Sequence, residues 1–282
     1  MKDIWYIFVI GYIILNVVFV QNQKKALNKS KNDSAILVLF QLLSGLVALI
    51  YTFLFKFKMS TNVIHYVMLL IAYIFYALYD VCNIKSRKNL EVSTASVLSQ
   101  LSTIFVFIFG LTLFKEEFVL NKVFGALFIL MGNVLVLYKK GKFIWNNYIV
   151  FALLANLFNA IAVSIDAGVS NYFNLAIYVS QSLIVPALFV MLFNQIGLKK
   201  LKEEYSVGDK KSIWLVAFSW GISIIMMLKA YEYNDVTVVA PLCALGIIFN
   251  VFTAYFYQKE KDNLLKKIIA AILVLIGILL IK

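Results

Sequence analysis

The sequence predicts an all-α integral membrane protein whose ten transmembrane helices form two inverted five-helix repeats. Three observations lead to this fold class. First, the 282 residues are 63% hydrophobic and only 14% charged, whereas a soluble domain is usually about 45–50% apolar and about 25% charged. Second, ten apolar runs are long enough to cross a bilayer. Third, two segments half a chain apart, FKEEFVLNKVFGALFILMG and QKEKDNLLKKIIAAILVLIG, share one pattern.

The ten apolar runs each have the length of a membrane-spanning helix, about 17–23 residues. Strands of an outer-membrane barrel would be about half as long and would alternate with period two, which these runs do not. The predicted spans are 4–20, 34–55, 63–81, 92–114, 119–138, 147–165, 175–193, 213–231, 236–257 and 264–281. The loops between them are short, so we expect no separate soluble domain.

The net charge of +12 is concentrated in alternate loops. The odd-numbered loops with their flanking helix ends carry 19 Lys and Arg residues, and the even-numbered loops carry 5. This bias predicts cytoplasmic odd loops and external termini. We therefore assign the basic charge to membrane topology and to contacts with the lipid bilayer, and we expect no nucleic-acid partner because no binding module accompanies the charge.

The repeated pattern predicts that the chain contains one five-helix unit twice. The two Lys-Glu pairs lie 144 residues apart, before helices five and ten, and Gln41 and Gln181 occupy similar places in helices two and seven. Because five is odd, the second unit must enter the membrane upside down, and the basic charges of equivalent loops differ in the direction that inversion requires. Inverted repeats are typical of alternating-access carriers. The predicted repeats are residues 1–141 and 142–282, within one transport domain.

Two longer segments carry a family resemblance: SVLSQLSTIFVFIFGLTLFKEEFVLNKVFGALFILMG and APLCALGIIFNVFTAYFYQKEKDNLLKKIIAAILVLIG. The chain resembles, over nearly its whole length, the EamA-like type of the drug/metabolite transporter (DMT) superfamily. Glu116 and Glu260 match the turn acid of that family. The chain differs in lacking the usual proline near positions 102–103 and 246–247, and Gln41 stands where an arginine is common. Members of the family usually keep both termini in the cytoplasm, the reverse of what the charges predict.

Polar side chains recur at helical spacing within several spans, and such groups are costly in hydrocarbon unless they face protein or a cavity. The family resemblance implies that helices one, three, four, six, eight and nine line the central cavity, and these helices carry the polar residues. The candidate substrate-binding residues are Asn16, Tyr73, Tyr76, Ser96, Ser99, Gln100, Thr103, Asn156, Asn159, Trp220, Ser223 and Asn250. The alternative is that they serve only as polar contacts between helices.

The ionisable residues near the membrane all lie close to the ends of the predicted spans, so the sequence favours exchange or facilitated movement over proton coupling. Asp80 and Asp166 are the possible coupling residues. Lys115, Glu116 and Glu260 are expected to cap helix ends or to set turns. Gln41 is expected to have a packing role.

The resulting functional prediction is a secondary transporter of a small polar metabolite, such as an amino acid, an amine or a related solute. An amphipathic or lipid-linked substrate and a non-transport membrane scaffold are the alternatives. No catalytic motif is present, and one His with two Cys residues, Cys82 and Cys243, cannot make a typical zinc site. We therefore expect neither enzymatic activity nor a cofactor. The excess of Lys over the single Arg, Arg87, favours a bacterial cytoplasmic membrane, and monomer and homodimer both remain open.

Overall fold

A computed structural model describes residues 5–112, 119–139, 142–143, 145–234 and 236–281. Thirteen helices make up nearly all of this part of the chain, which confirms the all-helical prediction. They are α1 (Trp5–Lys29), α2 (Asp33–Ile50), α3 (Val63–Asn89), α4 (Val92–Leu98), α5 (Leu101–Thr112), α6 (Leu120–Leu137), α7 (Asn147–Val169), α8 (Leu175–Phe193), α9 (Leu198–Val207), α10 (Lys210–Tyr233), α11 (Val236–Ala244), α12 (Gly246–Tyr257) and α13 (Leu264–Ile281). One short antiparallel pair, Tyr138–Lys139 with Lys142–Phe143, accompanies them.

Side-chain caps define where several of these helices begin. Asn32, Asn62, Asn146, Asn174 and Asp209 precede α2, α3, α7, α8 and α10, and each accepts a hydrogen bond from a backbone amide of the first turn. The first amides of a helix have no partner within the helix, and Asn and Asp are among the best residues for satisfying them. The helix starts are thus encoded locally in the sequence.

Nine helical segments of the described residues are long and apolar enough to cross a membrane. They are Trp5–Lys29, Asp33–Leu54, Val63–Asn89, Val92–Thr112, Leu120–Leu137, Asn147–Asp166, Leu175–Phe193, Lys210–Tyr233 and Leu264–Ile281. The ninth predicted span contains the shorter apolar helix Leu242–Tyr257. A multi-pass membrane protein is therefore supported, whereas the count of ten helices stays a prediction.

Two of the predicted spans are interrupted. The fourth span consists of α4 and α5, with a turn at Ser99 and Gln100 between them, and the ninth consists of α11 and α12, which meet at Leu245. Several predicted spans are also too short, by most in two helices: α1 continues beyond residue 20 to Lys29, and α3 continues beyond residue 81 to Asn89. The Lys-Glu pair at Lys115 and Glu116, for which a capping or turn-setting role was predicted, lies outside the described residues.

Small residues bring α6 and α13 into close backbone contact. A Cβ atom on Gly277 would lie 2.5 Å from the carbonyl oxygen of Gly125, and one on Gly132 would lie 2.7 Å from the carbonyl oxygen of Ala270. A later residue of α6 contacts an earlier residue of α13, so the two helices pack antiparallel. Small residues at such crossings are typical of membrane helix pairs.

Four of the five odd-numbered loops, with their flanking helix ends, gather at one end of the bundle, which we call the basic end (residues 24–33, 85–93, 194–212 and 258–267). Glu204, on the amphipathic helix α9 of the longest loop, accepts hydrogen bonds from the backbone amides of Lys31 and Asn32, both at 3.1 Å. Lys88 forms an ion pair with Asp33 at 2.5 Å. These contacts connect the loops that follow α1, α3 and α8.

Asp209 provides a further charged contact at the basic end. It caps α10 and lies 3.4 Å from the ammonium groups of Lys25 and Lys29. Slight burial would raise the pKa of Asp209, but the Ser212 amide and the two lysines lower it, so that the pKa lies below its usual value. Asp209 is therefore ionised at neutral pH and joins the start of α10 to the end of α1.

Glu260 confirms the helix-capping role that the sequence predicts for it, but the helix belongs to the other half of the chain. Its carboxylate accepts hydrogen bonds from the backbone amides of Val92 at 2.5 Å and Ser93 at 3.2 Å, at the start of α4. Lys267 holds this carboxylate at 3.5 Å and that of Glu91 at 3.1 Å. The start of α4 is thus joined to the loop before α13.

The opposite end of the bundle is joined mainly through one asparagine. The Asn174 backbone amide donates to the carbonyl oxygen of Lys58 at 2.6 Å, and its side chain donates to the carbonyl oxygens of Phe55 and Lys56. Asn174 therefore connects the loop before α3 with the loop before α8, as well as capping α8.

Candidate functional site

A polar cleft opens between α3, α4 and α7. It contains about 330 Å³ of empty space, including the part that is open to solvent. Its lining residues are Tyr79, Asn83, Ser86, Ala95, Leu98, Ser99, Ala152, Ala155, Asn156 and Asn159. Three of the predicted site residues, Ser99, Asn156 and Asn159, therefore line the same cleft.

The break between α4 and α5 forms one wall of this cleft, to which it contributes Ser99. The Ser102 backbone amide donates a hydrogen bond at 3.2 Å to Asn156 Oδ1 rather than to a helix carbonyl. Asn156 is itself fixed by a 2.7 Å bond from its Nδ2 to the Ala152 carbonyl oxygen. At the turn, Gln100 Nε2 donates to Ser99 Oγ at 3.0 Å, and Ser99 Oγ donates to the carbonyl oxygen of Ser96. The buried hydroxyl of Ser96 has no hydrogen-bond partner among the described residues.

The break between α11 and α12 has a similar asparagine beside it. Asn16 Oδ1 on α1 accepts a 3.1 Å hydrogen bond from Asn250 Nδ2, and it lies 3.7 Å from the position of a Cβ on Gly246. Gln21, one turn further along α1, donates to the Asn250 carbonyl oxygen and to Thr253 Oγ1. The structure therefore brings Asn16 and Asn250 together, but next to α12 and not among the residues that line the cleft.

Tyr73, Tyr76 and Asp166 form a separate cluster between α3, α7 and α8. The Tyr76 hydroxyl donates to Asp166 Oδ2 at 2.5 Å, whereas Asp166 Oδ1 is buried without a hydrogen-bond partner among the described residues. The hydroxyls of Tyr73 and Tyr178 are also buried without such partners. Water or a solute at these atoms would complete their hydrogen bonding.

Asp80 lies well inside α3, and its only hydrogen-bond donor among the described residues is a side chain of another helix. Because α3 ends at Asn89, Asp80 is not near a helix end as the predicted span implies. The Asp80 side chain is buried, with 4% of the residue exposed, and accepts a 2.5 Å hydrogen bond from Gln41 Nε2. The residue expected only to pack, Gln41, is thus the partner of a candidate coupling residue.

Of the twelve predicted substrate-binding residues, only Ser99, Asn156 and Asn159 line the cleft, and three of the others, Trp220, Ser223 and Thr103, belong to neither the cleft nor the two clusters above. The Trp220 ring stacks on Phe19, with 5.0 Å between the ring centroids, and the Ser223 hydroxyl donates to the Trp220 carbonyl oxygen within its own helix. Thr103 lies in the first turn of α5, and its side chain is not part of the cleft lining. Contacts within and between helices account for Trp220 and Ser223.

One polar face of α3, which lines the cleft through Tyr79 and Asn83, is absent from the residues predicted from sequence. Tyr79, Asn83 and Arg87 follow one another at four-residue spacing, and hydrogen bonds connect them: Arg87 Nε donates to Asn83 Oδ1 at 3.1 Å, and Asn83 Nδ2 donates to Tyr79 Oη at 3.2 Å. The four-residue spacing could have revealed this face, but the predicted span ended at residue 81, before Asn83 and Arg87.

A second, smaller pocket shares Ala95 with the cleft and contains the basic side chains of this region. It is lined by Val20, Gln23, Lys24, Arg87, Val92 and Ala95. Because Ala95 lines both spaces, the smaller pocket lies next to the cleft, on the side of the basic end. We call it the Arg87 pocket.

Comparisons with known proteins agree with this architecture. The EamA-like transporter family matches residues 4–138. Two relatives, the pseudopaline exporter CntI of Pseudomonas aeruginosa strains UCBPP-PA14 and PAO1, are each 22% identical over 202 residues, which cover 70% of this chain and 69% of theirs. One crystal structure of a protein matches with a TM-score of 0.58 and 13% identity, covering 99% of this chain and 96% of its own; this match shows the fold alone.

The predicted resemblance is thereby confirmed. Its most specific residues, the small and hydroxyl side chains of helix four and the helix that ends near Gly132, lie within the matched region. The two relatives and the matched family are described as transporters or exporters. Residues 4–138 therefore match the EamA-like transporter family, and the chain is a multi-pass membrane protein that is similar to transporters of this type.

Proposed function

We propose that the chain is an alternating-access carrier that moves a small polar metabolite through the cleft between α3, α4 and α7. In this proposal ten spans form two inverted halves, residues 1–141 and 142–282. The observation that carries the proposal is the polar wall at the break of the fourth span, where Ser99, Asn156 and Asn159 line one space. Broken helices that line a cavity are typical substrate sites of inverted-repeat transporters.

The pattern of helix contacts supports the inverted repeat. If the second half repeats the first, α1 corresponds to α7, α3 to α10, and α5 to α12. A contact between α1 and α10 should then be repeated as a contact between α7 and α3. A contact between α5 and α7 should be repeated as one between α12 and α1. All four contacts are present. The contacts of α2 with α8 and of α6 with α13 each join two equivalent helices, so exchanging the halves leaves these contacts unchanged. Asn16 and Asn156 show the same correspondence between the halves, because each lies beside a broken span of the other half.

The lining of the cleft supports a small polar solute over a large apolar one. Amide and hydroxyl groups offer both donors and acceptors without a fixed charge, and the Tyr79 ring adds a face on which an apolar body or a cation could rest. The function named for the two Pseudomonas relatives favours export over import. We place the carrier in a bacterial cytoplasmic membrane, as the excess of Lys over the single Arg favours.

Counterflow in proteoliposomes tests this proposal. Vesicles are preloaded with an unlabelled solute, and entry of the same labelled solute is followed over a panel of amino acids, amines, nucleosides and sugar phosphates. We expect accumulation with one class, and we expect Asn159→Ala to abolish it. The matched control is Asn194→Ala, because Asn194 follows α8 at the basic end and its side chain donates only to the Val190 carbonyl oxygen.

The alternatives predict different results. A carrier of an amphipathic or lipid-linked substrate would be silent over this panel and active with lipid-linked solutes. A membrane scaffold would be silent with both. Accumulation that Asn159→Ala leaves unchanged would support a carrier with its site elsewhere, and Asn16 with Asn250 would be the next candidate.

We further propose that transport is proton-coupled through Asp80, in contrast to the exchange that the sequence favoured. A carboxylate buried in a membrane helix is costly unless it is paired or neutralised by a proton. The Gln41 amide is neutral, and its Oε1 is buried without a hydrogen-bond partner among the described residues. A protonated Asp80 could donate to this oxygen once the amide is turned over, because a side-chain amide offers a donor on one side and an acceptor on the other. Gln41 can thus form a hydrogen bond with Asp80 whether Asp80 is ionised or protonated.

Asp80→Asn tests the coupling. In a proton-coupled carrier, the substitution abolishes accumulation driven by a pH gradient but leaves counterflow largely intact, because counterflow needs no net proton movement. Asp166→Asn provides the comparison, since Asp166 accepts a hydrogen bond from Tyr76 in the separate cluster between α3, α7 and α8. If Asp80→Asn leaves gradient-driven accumulation unchanged, Asp80 is a packing residue.

A further inference from the structure

Arg87, the only arginine of the chain, is surrounded by neutral partners in its pocket. Its Nε donates to Asn83 Oδ1 at 3.1 Å, and its Nη1 donates to Gln23 Oε1 at 3.3 Å. A guanidinium group has five N–H donors, so these two bonds leave three donors available. Among the residues that the structure describes, no ion pair joins Arg87 to a carboxylate.

The other cations of this region all have partners. The ammonium group of Lys24 donates to the carbonyl oxygens of Arg87, Lys88 and Leu90, at 3.0, 2.6 and 2.7 Å. Lys24 therefore caps the C-terminal end of α3. Lys88 is paired with Asp33, and the Lys85 ammonium group lies 5.0 Å from the centre of the Phe151 ring. Arg87 lies in the last turn of α3, which favours a positive charge, but among the described residues it forms no ion pair with an acid.

The position of Arg87 connects this charge to the cleft. Its pocket is formed by α1, α3 and α4, inside the bundle. From Arg87 the hydrogen bonds run along α3 through Asn83 to Tyr79, and both of these residues line the cleft with Asn156. A solute in the cleft would therefore meet neutral polar groups deep inside and a positive charge toward the basic end.

We propose that Arg87 binds a carboxylate of the transported solute, so that the substrate is a small polar molecule with at least one carboxylate group. The planar guanidinium matches a carboxylate with two parallel hydrogen bonds, which an ammonium group cannot make. A half-buried cation without an acidic partner also favours an incoming anion, which offsets its loss of hydration. This inference deepens the proposed function and rests on it.

The test measures binding and transport separately, and its central pair of probes, succinate and succinamide, share one carbon skeleton and differ in charge. Purified protein in detergent is heated with succinate, with N-acetylglycine, or with neutral succinamide, and the unfolding midpoint is compared. We expect the two carboxylates to raise the midpoint of the wild type and succinamide not to do so. Arg87→Gln should weaken apparent carboxylate affinity by about 10- to 100-fold, the size of one charged hydrogen-bonded contact, and Arg87→Lys should restore it in part.

Lys85→Gln is the matched control, because it removes the same charge from the same helix two residues earlier and should leave carboxylate binding unchanged. If no carboxylate stabilises the wild type more than succinamide does, the inference is wrong. It is also wrong if anionic phosphatidylglycerol, and not a soluble carboxylate, stabilises the wild type and fails to stabilise Arg87→Gln, since the pocket then binds a lipid phosphate.

Counterflow separates this inference from the proposed function. Carboxylate binding that depends on Arg87, with no counterflow of any solute, supports the binding site and contradicts the carrier. Counterflow of neutral solutes alone, unchanged in Arg87→Gln, supports the carrier and contradicts the carboxylate site. Counterflow of carboxylate-bearing solutes that Arg87→Gln abolishes supports both.

Discussion

Asn156 Oδ1 accepts a 3.2 Å hydrogen bond from the Ser102 backbone amide, across the break between α4 and α5. This contact connects the sixth span to the fourth at the wall of the cleft. The related transporters usually carry a proline near this point, and a proline has no amide to satisfy. In this chain the break is kept without a proline, because a side-chain amide on a neighbouring helix accepts the freed backbone donor.

The first prediction concerns the stability that this contact contributes. Asn156→Ala leaves the Ser102 amide without its acceptor, so we expect a loss of about 1–3 kcal/mol in the free energy of unfolding. Asn159→Ala, on the same helix, should abolish transport with little change in stability. Thermal unfolding in detergent and counterflow measure the two effects. Equal stability of both variants would mean that Asn156 does not hold the break.

The second prediction is that a proline at the break is tolerated. Ser102→Pro removes an amide that donates to Asn156 and not to a helix carbonyl, so we expect a cost of about 1 kcal/mol. Val106→Pro, in the interior of α5, should cost about 3 kcal/mol or more, because it removes a helical hydrogen bond and clashes with the preceding turn. The comparison is made by expression in membranes and by thermal unfolding. Similar losses in the two variants would show that α5 is continuous with α4 in the folded protein.

The third prediction concerns the close contact between α6 and α13. A Cβ on Gly277 would meet the Gly125 carbonyl oxygen at 2.5 Å, so Gly277→Ala must push the helices apart and should cost about 1–3 kcal/mol. Gly168→Ala is the control, since its Cβ would meet only the end of the flexible Met68 side chain, at 3.7 Å. Thermal unfolding of the two variants measures the difference, and equal midpoints would contradict the observed packing.

The sequence predicted the helices and part of the cleft for physical reasons that are local. Long apolar runs and Asn or Asp caps determine where helices lie, and both are visible within a few residues. Asn156 and Asn159 were found because a polar side chain within an apolar span must face protein or solute. The break at Ser99 and Gln100 could not be predicted, because its usual proline is missing and its stabilising acceptor comes from another helix.

Other features depend on contacts between distant residues, and the sequence does not show these. The predicted third span ended where Lys85 and Arg87 interrupt the apolar run, but the helix continues to Asn89 because Lys24 caps its end from another helix. The pairing of Gln41 with Asp80 likewise joins two helices, and spacing within one helix does not report it. A single sequence shows which face of a helix points inward, but it does not show which helix packs against that face.

The central claim, alternating access to the cleft, is tested most directly by the accessibility of Ser99. In a variant with Cys82 and Cys243 replaced by Ser, Ser99→Cys is reacted with a membrane-impermeant maleimide from either side of oriented vesicles. In a chain that also carries Ser93→Cys and Glu260→Cys, which replace residues whose side chains are 2.5 Å apart, the basic end is then locked by oxidising this pair to a disulfide with copper phenanthroline. The remaining thiol of Ser99→Cys is labelled as before, and reduction of the disulfide provides the unlocked control.

We expect labelling from both sides in the unlocked protein, since each molecule alternates between two states. Locking the basic end should abolish labelling from that side and preserve or increase labelling from the other. Labelling from both sides that the lock does not change would contradict alternating access and indicate a continuous pore. Labelling from one side only, in both the locked and the unlocked protein, would show that the cleft is accessible from the same side of the membrane in every state, which also contradicts alternating access.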